Sequence, residues 1–208
     1  MESSNNVYKE NSKKTFDNQA KIYDETYNGK HASALYKVVI EKVHQFNPES
    51  LLDVGCGNGK ILSMLDKNGD STLCGIDLSQ EMINEAKKKL NSKVKLIVGD
   101  SEHLPWGEET FDCITCNDSF HHYPQAENVL KQMARVLKKR GEIIIGDPWA
   151  PIFLRQLTNL FCKFSKEGDF RIYSKMEIIN LLKKCGFKNI VWEKVNCKSF
   201  IVTAEVDK

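Results

Sequence analysis

The stretch LLDVGCGNG, Leu51 to Gly59, decides the fold: an apolar run ends in glycines at alternate positions, Gly55, Gly57 and Gly59. From Ser50 to Gly55 there is no alternation of polar and apolar residues, as in a strand buried on both faces. Glycine lets the backbone take turn conformations closed to other residues and lets a ligand approach the main chain. Helical spacing follows in Lys60 to Lys67 (KILSMLDK), with a stop signal at Asn68-Gly69. A helix starting there turns free N–H groups toward an anion. The dinucleotide fingerprint is G-x-G-x-x-G, but its third glycine would fall on Lys60. The tighter G-x-G-x-G spacing suits a carboxylate-sized group better than a pyrophosphate.

Outward from this loop, strand-like and helical patterns alternate. Ser71 to Asp77, Val94 to Gly99, Phe111 to Asn117 and Glu142 to Gly146 read as strands. Between them, Ser79 is set to cap a helix with Glu81 in its first turn and Lys87 to Lys89 in its last turns. A second helix is predicted over Glu127 to Lys139, ended by Gly141. The tail breaks the alternation: a helix over Ser174 to Cys185, with a capping box of Ser174 and Glu177, ends at Gly186. The runs Asn189 to Val195 and Ser199 to Val206 are separated only by Asn196-Cys197-Lys198, so they must pair antiparallel. Ahead of the sheet, Phe16 to Tyr23 and Ala32 to Phe46 look helical, with a break at Asn28-Gly29. The apolar segment Pro151 to Phe164 stands between the fifth strand and the tail. These patterns predict one α/β domain over 1–208, divided into N-terminal helices (1–46), a core (50–148), an inserted helical segment (149–173), and a terminal helix and hairpin (174–208).

Composition excludes several function classes. In 208 residues, 30 Lys+Arg against 28 Asp+Glu leave a net charge of +2, too even for a nucleic-acid partner. No apolar run approaches the roughly 18 residues of a membrane helix, and the polar Met1 to Lys14 is unlike a secretory signal. The 7 cysteines are scattered singly, which suits reduced thiols and a cytoplasmic location. Cys113 and Cys116 form a C-x-x-C inside one strand and point to opposite faces, so no metal is expected there or elsewhere.

Two acidic residues sit where an open α/β sheet binds ligands, at the carboxyl ends of strands. Asp77 ends the second strand about 20 residues beyond the glycine loop, where a carboxylate can accept bonds from ribose hydroxyls. Asp100 ends the third, within reach of an adenine amino group.

With LLDVGCGNG, GIDLS, VGDSEHLPW, FDCITCNDSFHHYP, LKKRGEIIIGD and NLLKKCGF together, the chain resembles a class I S-adenosylmethionine-dependent methyltransferase. The resembling group includes the ubiquinone/menaquinone-biosynthesis enzymes, and the match runs from about Ser50 to Pro148 with the tail hairpin. Lys139-Arg140-Gly141 departs from the Pro-Gly-Gly turn usual in the family. The resemblance implies a Rossmann-like seven-stranded sheet, mostly parallel, with a C-terminal antiparallel hairpin and helices on both faces. It implies S-adenosylmethionine as cofactor, S-adenosylhomocysteine as product, and in-line methyl transfer to a small-molecule acceptor.

Carried over by position, Asp53 would anchor the glycine loop or meet the methionyl amino group, and the backbone of Gly55, Cys56 and Gly57 would line the methionine moiety. Asp77 would bind the ribose, Leu78 and Met82 would pack on the adenine, and Asp100 with the Ser101 N–H would read its edge. Asn117 and Asp118 would stand near the transferable methyl, and Tyr23 resembles a lid residue over the cofactor. His121 and His122 are candidates for a general base or for structural support of their loop; His103 reads as a solvated loop residue. Two other classes stay open: a module that binds the cofactor or its product without turnover, and a nicotinamide-dependent oxidoreductase, which Lys60 and the terminal hairpin oppose. Phe16, Tyr23, Tyr27, Trp149, Phe153 and Phe161, with no basic cluster among them, favour an apolar or aromatic small acceptor over nucleic acid. The segment Pro151 to Phe164 reads equally as a lid on the acceptor or as a contact with a partner chain, and a homodimer is left open.

Overall fold

A computed structural model describes residues 2–66 and 71–208. Helices α1 (Glu2–Gln19) and α2 (Tyr27–Phe46) precede a sheet of β1 (Ser50–Val54), β2 (Thr72–Asp77), β3 (Lys95–Val98), β4 (Phe111–Asn117) and β5 (Leu137–Pro148). Between the strands lie α3 (Lys60–Leu65), α4 (Gln80–Lys89) and α5 (Ala126–Val136). After β5 come α6 (Ile152–Phe161), α7 (Lys175–Lys184), and the hairpin of β6 (Phe187–Lys194) and β7 (Ser199–Val206).

The seven strands are ordered β3-β2-β1-β4-β5-β7-β6. β1 to β5 run parallel to one another, while β7 lies antiparallel to both β5 and β6. Because successive side chains leave a strand on opposite faces, the sheet builds two apolar cores. Leu52, Val54, Ile114 and Ile143 pack with Val129, Leu130 and Met133 of α5 and Ile178 and Leu182 of α7. Leu51, Cys113 and Ile144 pack with Leu35, Val39 and Val43 of α2, Ile61 and Leu62 of α3, and Ile83 of α4. Cys116 belongs to the first core and Cys113 to the second, so the C-x-x-C is split across the sheet.

Several boundaries differ from the sequence reading. The polar start forms most of α1, an 18-residue helix with no residue in either core among those described. The break before α2 falls at Thr26, not at Asn28-Gly29: Thr26 is extended, and its hydroxyl accepts the Gly29 N–H at 3.1 Å as an N-cap. Gly29 therefore sits in the first turn, where a Cβ would come within 1.9 Å of the Tyr23 carbonyl oxygen. Helix α5 stops at Val136, and Leu137 to Lys139 join β5, because Leu137 pairs with Phe111 and is fully buried. A bulge then shifts the register before Glu142 meets Cys113, and Arg140 takes a positive φ of 60° in the place of the family's glycine turn. The predicted stop at Asn68-Gly69 lies outside the described residues; α3 has already ended at Leu65.

The capping box of α7 is present, with the Ser174 hydroxyl accepting the Glu177 N–H and the Glu177 carboxylate accepting the Ser174 N–H. Ser79 likewise caps α4 by accepting the Met82 N–H at 3.1 Å. Helix α6 buries none of its residues, and Phe153 is 84% exposed.

Candidate active site

The glycine loop leaves β1 with Gly55 at φ 71° and Gly57 at φ 51°, a left-handed geometry that disfavours any side chain. At Gly55 a Cβ would also lie 2.0 Å from Ser119 Oγ, whereas at Gly57 it would enter open space. Asp77 joins this loop to the start of α4: one carboxylate oxygen accepts the Gly57 N–H at 2.8 Å, the other the Ser79 N–H at 2.9 Å. Burial pushes the Asp77 carboxyl up from its usual range, and those two N–H donors hold it back.

These residues open onto a cavity at the carboxyl ends of the strands. Gly55, Gly57, Asp77, Leu78 and Met82 line one side, and Asp100, Ser101, Asn117 and Asp118 another. Tyr23 closes it from the 3-10 turn Ala20–Glu25. Asp53 and Cys56 line a smaller adjoining cavity behind the loop. The Asp53 carboxylate accepts the Thr115 hydroxyl at 2.7 Å, and burial, with Asp77 nearby, raises its pKa to about 7. The Cys56 thiol is likewise raised well above the normal range, first by burial, so it is a neutral filler.

Helix α1 supplies Phe16, one of the aromatics noted in the sequence, together with Lys9 and Ser12, which no sequence signal singled out. Lys9, Ser12 and Phe16 line the cavity. Lys9 Nζ reaches Asp100 Oδ2 and Glu102 Oε2, each at 2.7 Å. Burial works against the Lys9 charge, but these two carboxylates overcome it and raise its pKa. Asp17 accepts the Ser79 hydroxyl at 2.6 Å and the Glu81 N–H at 3.2 Å, and Asp24 accepts an Asn58 amide N–H at 2.8 Å. Each bond crosses a wide gap in sequence, so local patterning carries no trace of it.

A second cavity meets the first at Phe16, Tyr23, Asp118 and His122. Its walls include Tyr27, His31, His121, Thr158, Cys162 and Asp169. Asp118 has a left-handed φ of 54°, and its carboxylate meets His31 Nδ1 at 2.8 Å, which raises the His31 pKa. The rings of His121 and His122 lie 4.0 Å apart, and Phe16 meets His122 edge-on at 5.2 Å. Burial disfavours charge on both. For His121 the fully buried Asp147, at 2.9 Å from Nδ1, outweighs burial and lifts the pKa to about 9. For His122 burial and the His121 charge act together and lower it to about 4. His103 is exposed, as a solvated loop residue should be.

The reversed strand beside five parallel ones, with a cavity at the carboxyl ends of the strands, is a Rossmann-like architecture. Residues 52–145 match the family described as methyltransferase domain. A demethylmenaquinone methyltransferase of Lactobacillus johnsonii is 31% identical over 70% of this chain and 70% of its own length. Protein MJ1123 of Methanocaldococcus jannaschii is 31% identical over 84% of this chain and 82% of its own. The crystal structure of a SAM-dependent methyltransferase from Thermotoga maritima superposes with a TM-score of 0.71 at 21% identity, covering 92% of this chain and 98% of that one. The cyclase SpnF shares the fold at a TM-score of 0.65 and 19% identity, over 76% of this chain and 74% of its own. The chain belongs to the class I S-adenosylmethionine-dependent methyltransferase family. No helix among the described residues is long and apolar enough to cross a membrane.

Proposed function

We propose that the protein transfers the methyl group of S-adenosylmethionine to a small molecule seated in the second cavity. The observation that carries this reading is the junction of the two cavities at Phe16, Tyr23, Asp118 and His122. The first cavity fits the cofactor. Each carboxylate oxygen of Asp77 holds one N–H donor and keeps a further lone pair for a ribose hydroxyl. Leu78 and Met82 offer an apolar wall for the adenine, and Asp100 with Ser101 stands at its edge. Gly57, free of any neighbour within 4 Å of its missing Cβ, lets the methionine end approach the backbone.

When bound, the cofactor supplies a methyl group already activated by a cationic sulfur, so the chain's own contribution is position and dryness. Phe16 and Tyr23 cover the junction and exclude water, and their ring faces favour a nearby cation. An acceptor aligned at about 3–3.5 Å from the methyl carbon would react in line. Tyr27 and Phe16 in the second cavity support an apolar or aromatic acceptor, and the even charge of +2 disfavours nucleic acid. The relatives named demethylmenaquinone methyltransferase support the same acceptor class. The 7 thiols, all free in the structure, support a cytoplasmic location.

Calorimetry tests the reading: S-adenosylmethionine and S-adenosylhomocysteine should bind, and NAD should not. NAD binding tighter than S-adenosylhomocysteine would overturn it. Asp77→Ala should weaken S-adenosylhomocysteine binding, with about 1.5–3 kcal/mol at stake per bond to the carboxylate. An unchanged Kd would remove Asp77 from the cofactor site.

A further inference from the structure

Three side chains beside the acceptor cavity aim ligand atoms at one point. Asp169 Oδ1 lies 3.6 Å from His121 Nε2 and 3.5 Å from His122 Nδ1, and the donor atoms of the three residues lie within 4.8 Å of one another. Both separations exceed a normal hydrogen bond. They match the spacing of ligands around one ion: bonds of about 2.0–2.2 Å at tetrahedral angles place neighbouring ligand atoms about 3.3–3.6 Å apart.

The surroundings are arranged for the same end. His122 is buried at 9% exposure, and its Nδ1 has no hydrogen-bond partner although it faces a carboxylate oxygen. A cation between them would satisfy both. His121 is held through Nδ1 by Asp147 at 2.9 Å, which turns Nε2 toward Asp169. A carboxylate behind an imidazole is the arrangement that orients metal-binding histidines. The Ser165 hydroxyl donates to Asp169 Oδ2 at 2.7 Å, fixing that carboxylate while leaving Oδ1 for the ion. The N–H groups of Phe170 and Arg171 donate to the His121 carbonyl at 2.9 and 3.0 Å, so the loop bearing Asp169 is tied to the turn bearing the histidines. In a competing trio of Asp118, His121 and Asp147, the bonds of His121 to Asp147 at 2.9 Å and of His31 to Asp118 at 2.8 Å already occupy ligand atoms, although the buried Asp147 Oδ2 has no partner.

We infer that His121, His122 and Asp169 form a binding site for a divalent transition metal whose open positions face the acceptor cavity. Two imidazoles and a carboxylate suit zinc, cobalt or iron(II) better than magnesium or calcium, which prefer all-oxygen sets. Asp169 is 32% exposed, which leaves the ion a route in. An acceptor hydroxyl or thiol bound to the ion would lose its proton to water at a lower pH and be fixed in place. This role rests on the methyl-transfer reading; binding of the ion does not.

The test uses the full chain, stripped with a chelator and titrated with zinc(II), and in parallel with cobalt(II) for its visible absorption. One equivalent should bind, and the cobalt spectrum should be that of nitrogen and oxygen ligands. Asp169→Asn and His122→Gln should each lower the affinity at least about tenfold, and Asp147→Asn about 10–100-fold through His121. Failure to saturate near one equivalent would overturn the site, and this needs no variant to fold. A cobalt–thiolate band would overturn it too, by moving the metal to Cys162 or the exposed Cys197. So would unchanged affinity in a folded Asp169→Asn or His122→Gln protein. Binding of S-adenosylhomocysteine to the same metal-free chain keeps the two readings apart, since it tests the cofactor site alone.

Discussion

The two sides of the central cavity are made by different means. On the sheet side, the loop after β1 and the turn after β2 are set by backbone geometry: positive φ at Gly55 and Gly57, and N–H groups gathered by Asp77. On the other side, α1 and the turn after it are held by side chains reaching far along the chain, Lys9 to Asp100, Ser79 to Asp17, and Asn58 to Asp24. The first side is joined to the buried cores, while α1 contributes no residue to them among those described. The surface made by the glycine loop and Asp77 is thus part of the fold, and the α1 side is added to it. Binding and closure should separate under mutation.

Removing residues 1–19 should have the largest effect. Lys9, Ser12 and Phe16 leave with α1, so methyl transfer should fall by about 10²-fold or more through lost positioning. Circular dichroism and thermal unfolding should show the sheet intact. An unchanged rate would make α1 mere decoration.

A sharper comparison comes from two glycines in the same loop. Gly57→Ala carries only the left-handed backbone cost, about 1–2 kcal/mol. Gly55→Ala adds overlap with Ser119 Oγ, for about 1–3 kcal/mol more. Urea unfolding of the pair should rank them in that order. Equal losses would show that Ser119 moves aside without cost.

The smallest effect concerns His31 in the second cavity. Its bond to Asp118 raises the folded pKa above the unfolded value of about 6.5, so the protonated form is favoured by folding. That stabilisation is complete below about pH 6.5 and is lost as the pH rises through the raised value. His31→Gln should flatten the fall by no more than about 1 kcal/mol. Denaturant midpoints across that pH range would measure it, and an undiminished slope would assign the pH dependence to other groups.

The sheet and the cavity at its strand ends were legible because their determinants are local. The glycine spacing, the Ser79 cap, the Ser174 and Glu177 box, and the short Asn196-Cys197-Lys198 link each act within a few residues. Where a distant partner decides, local reading fails. Leu137 looks helical beside Val136, yet Phe111 draws it into β5. Helix α1 has no apolar stripe to announce it, with Val7 53% exposed. Asp169 lies in a loop with no pattern, and bonds distant in sequence, such as those from the Phe170 and Arg171 N–H groups to the His121 carbonyl, bring it to the histidines. The turn at Asn28-Gly29 was misplaced because Gly29 serves close packing against Tyr23 rather than a break.

The position of β7 has a consequence in time. It lies between β5 and β6, and Phe200, Ile201 and Val202 are almost wholly buried there. During synthesis β5 is finished while α6, α7 and the hairpin are still to be made. At about 5–20 residues per second, the ribosome leaves the β5 edge bare for several seconds before its neighbour emerges. An unpaired, Ile-rich edge of that kind invites pairing with another nascent chain. Slower translation between Pro148 and Ser199 should therefore lower the yield of folded protein, even though the amino-acid sequence is unchanged.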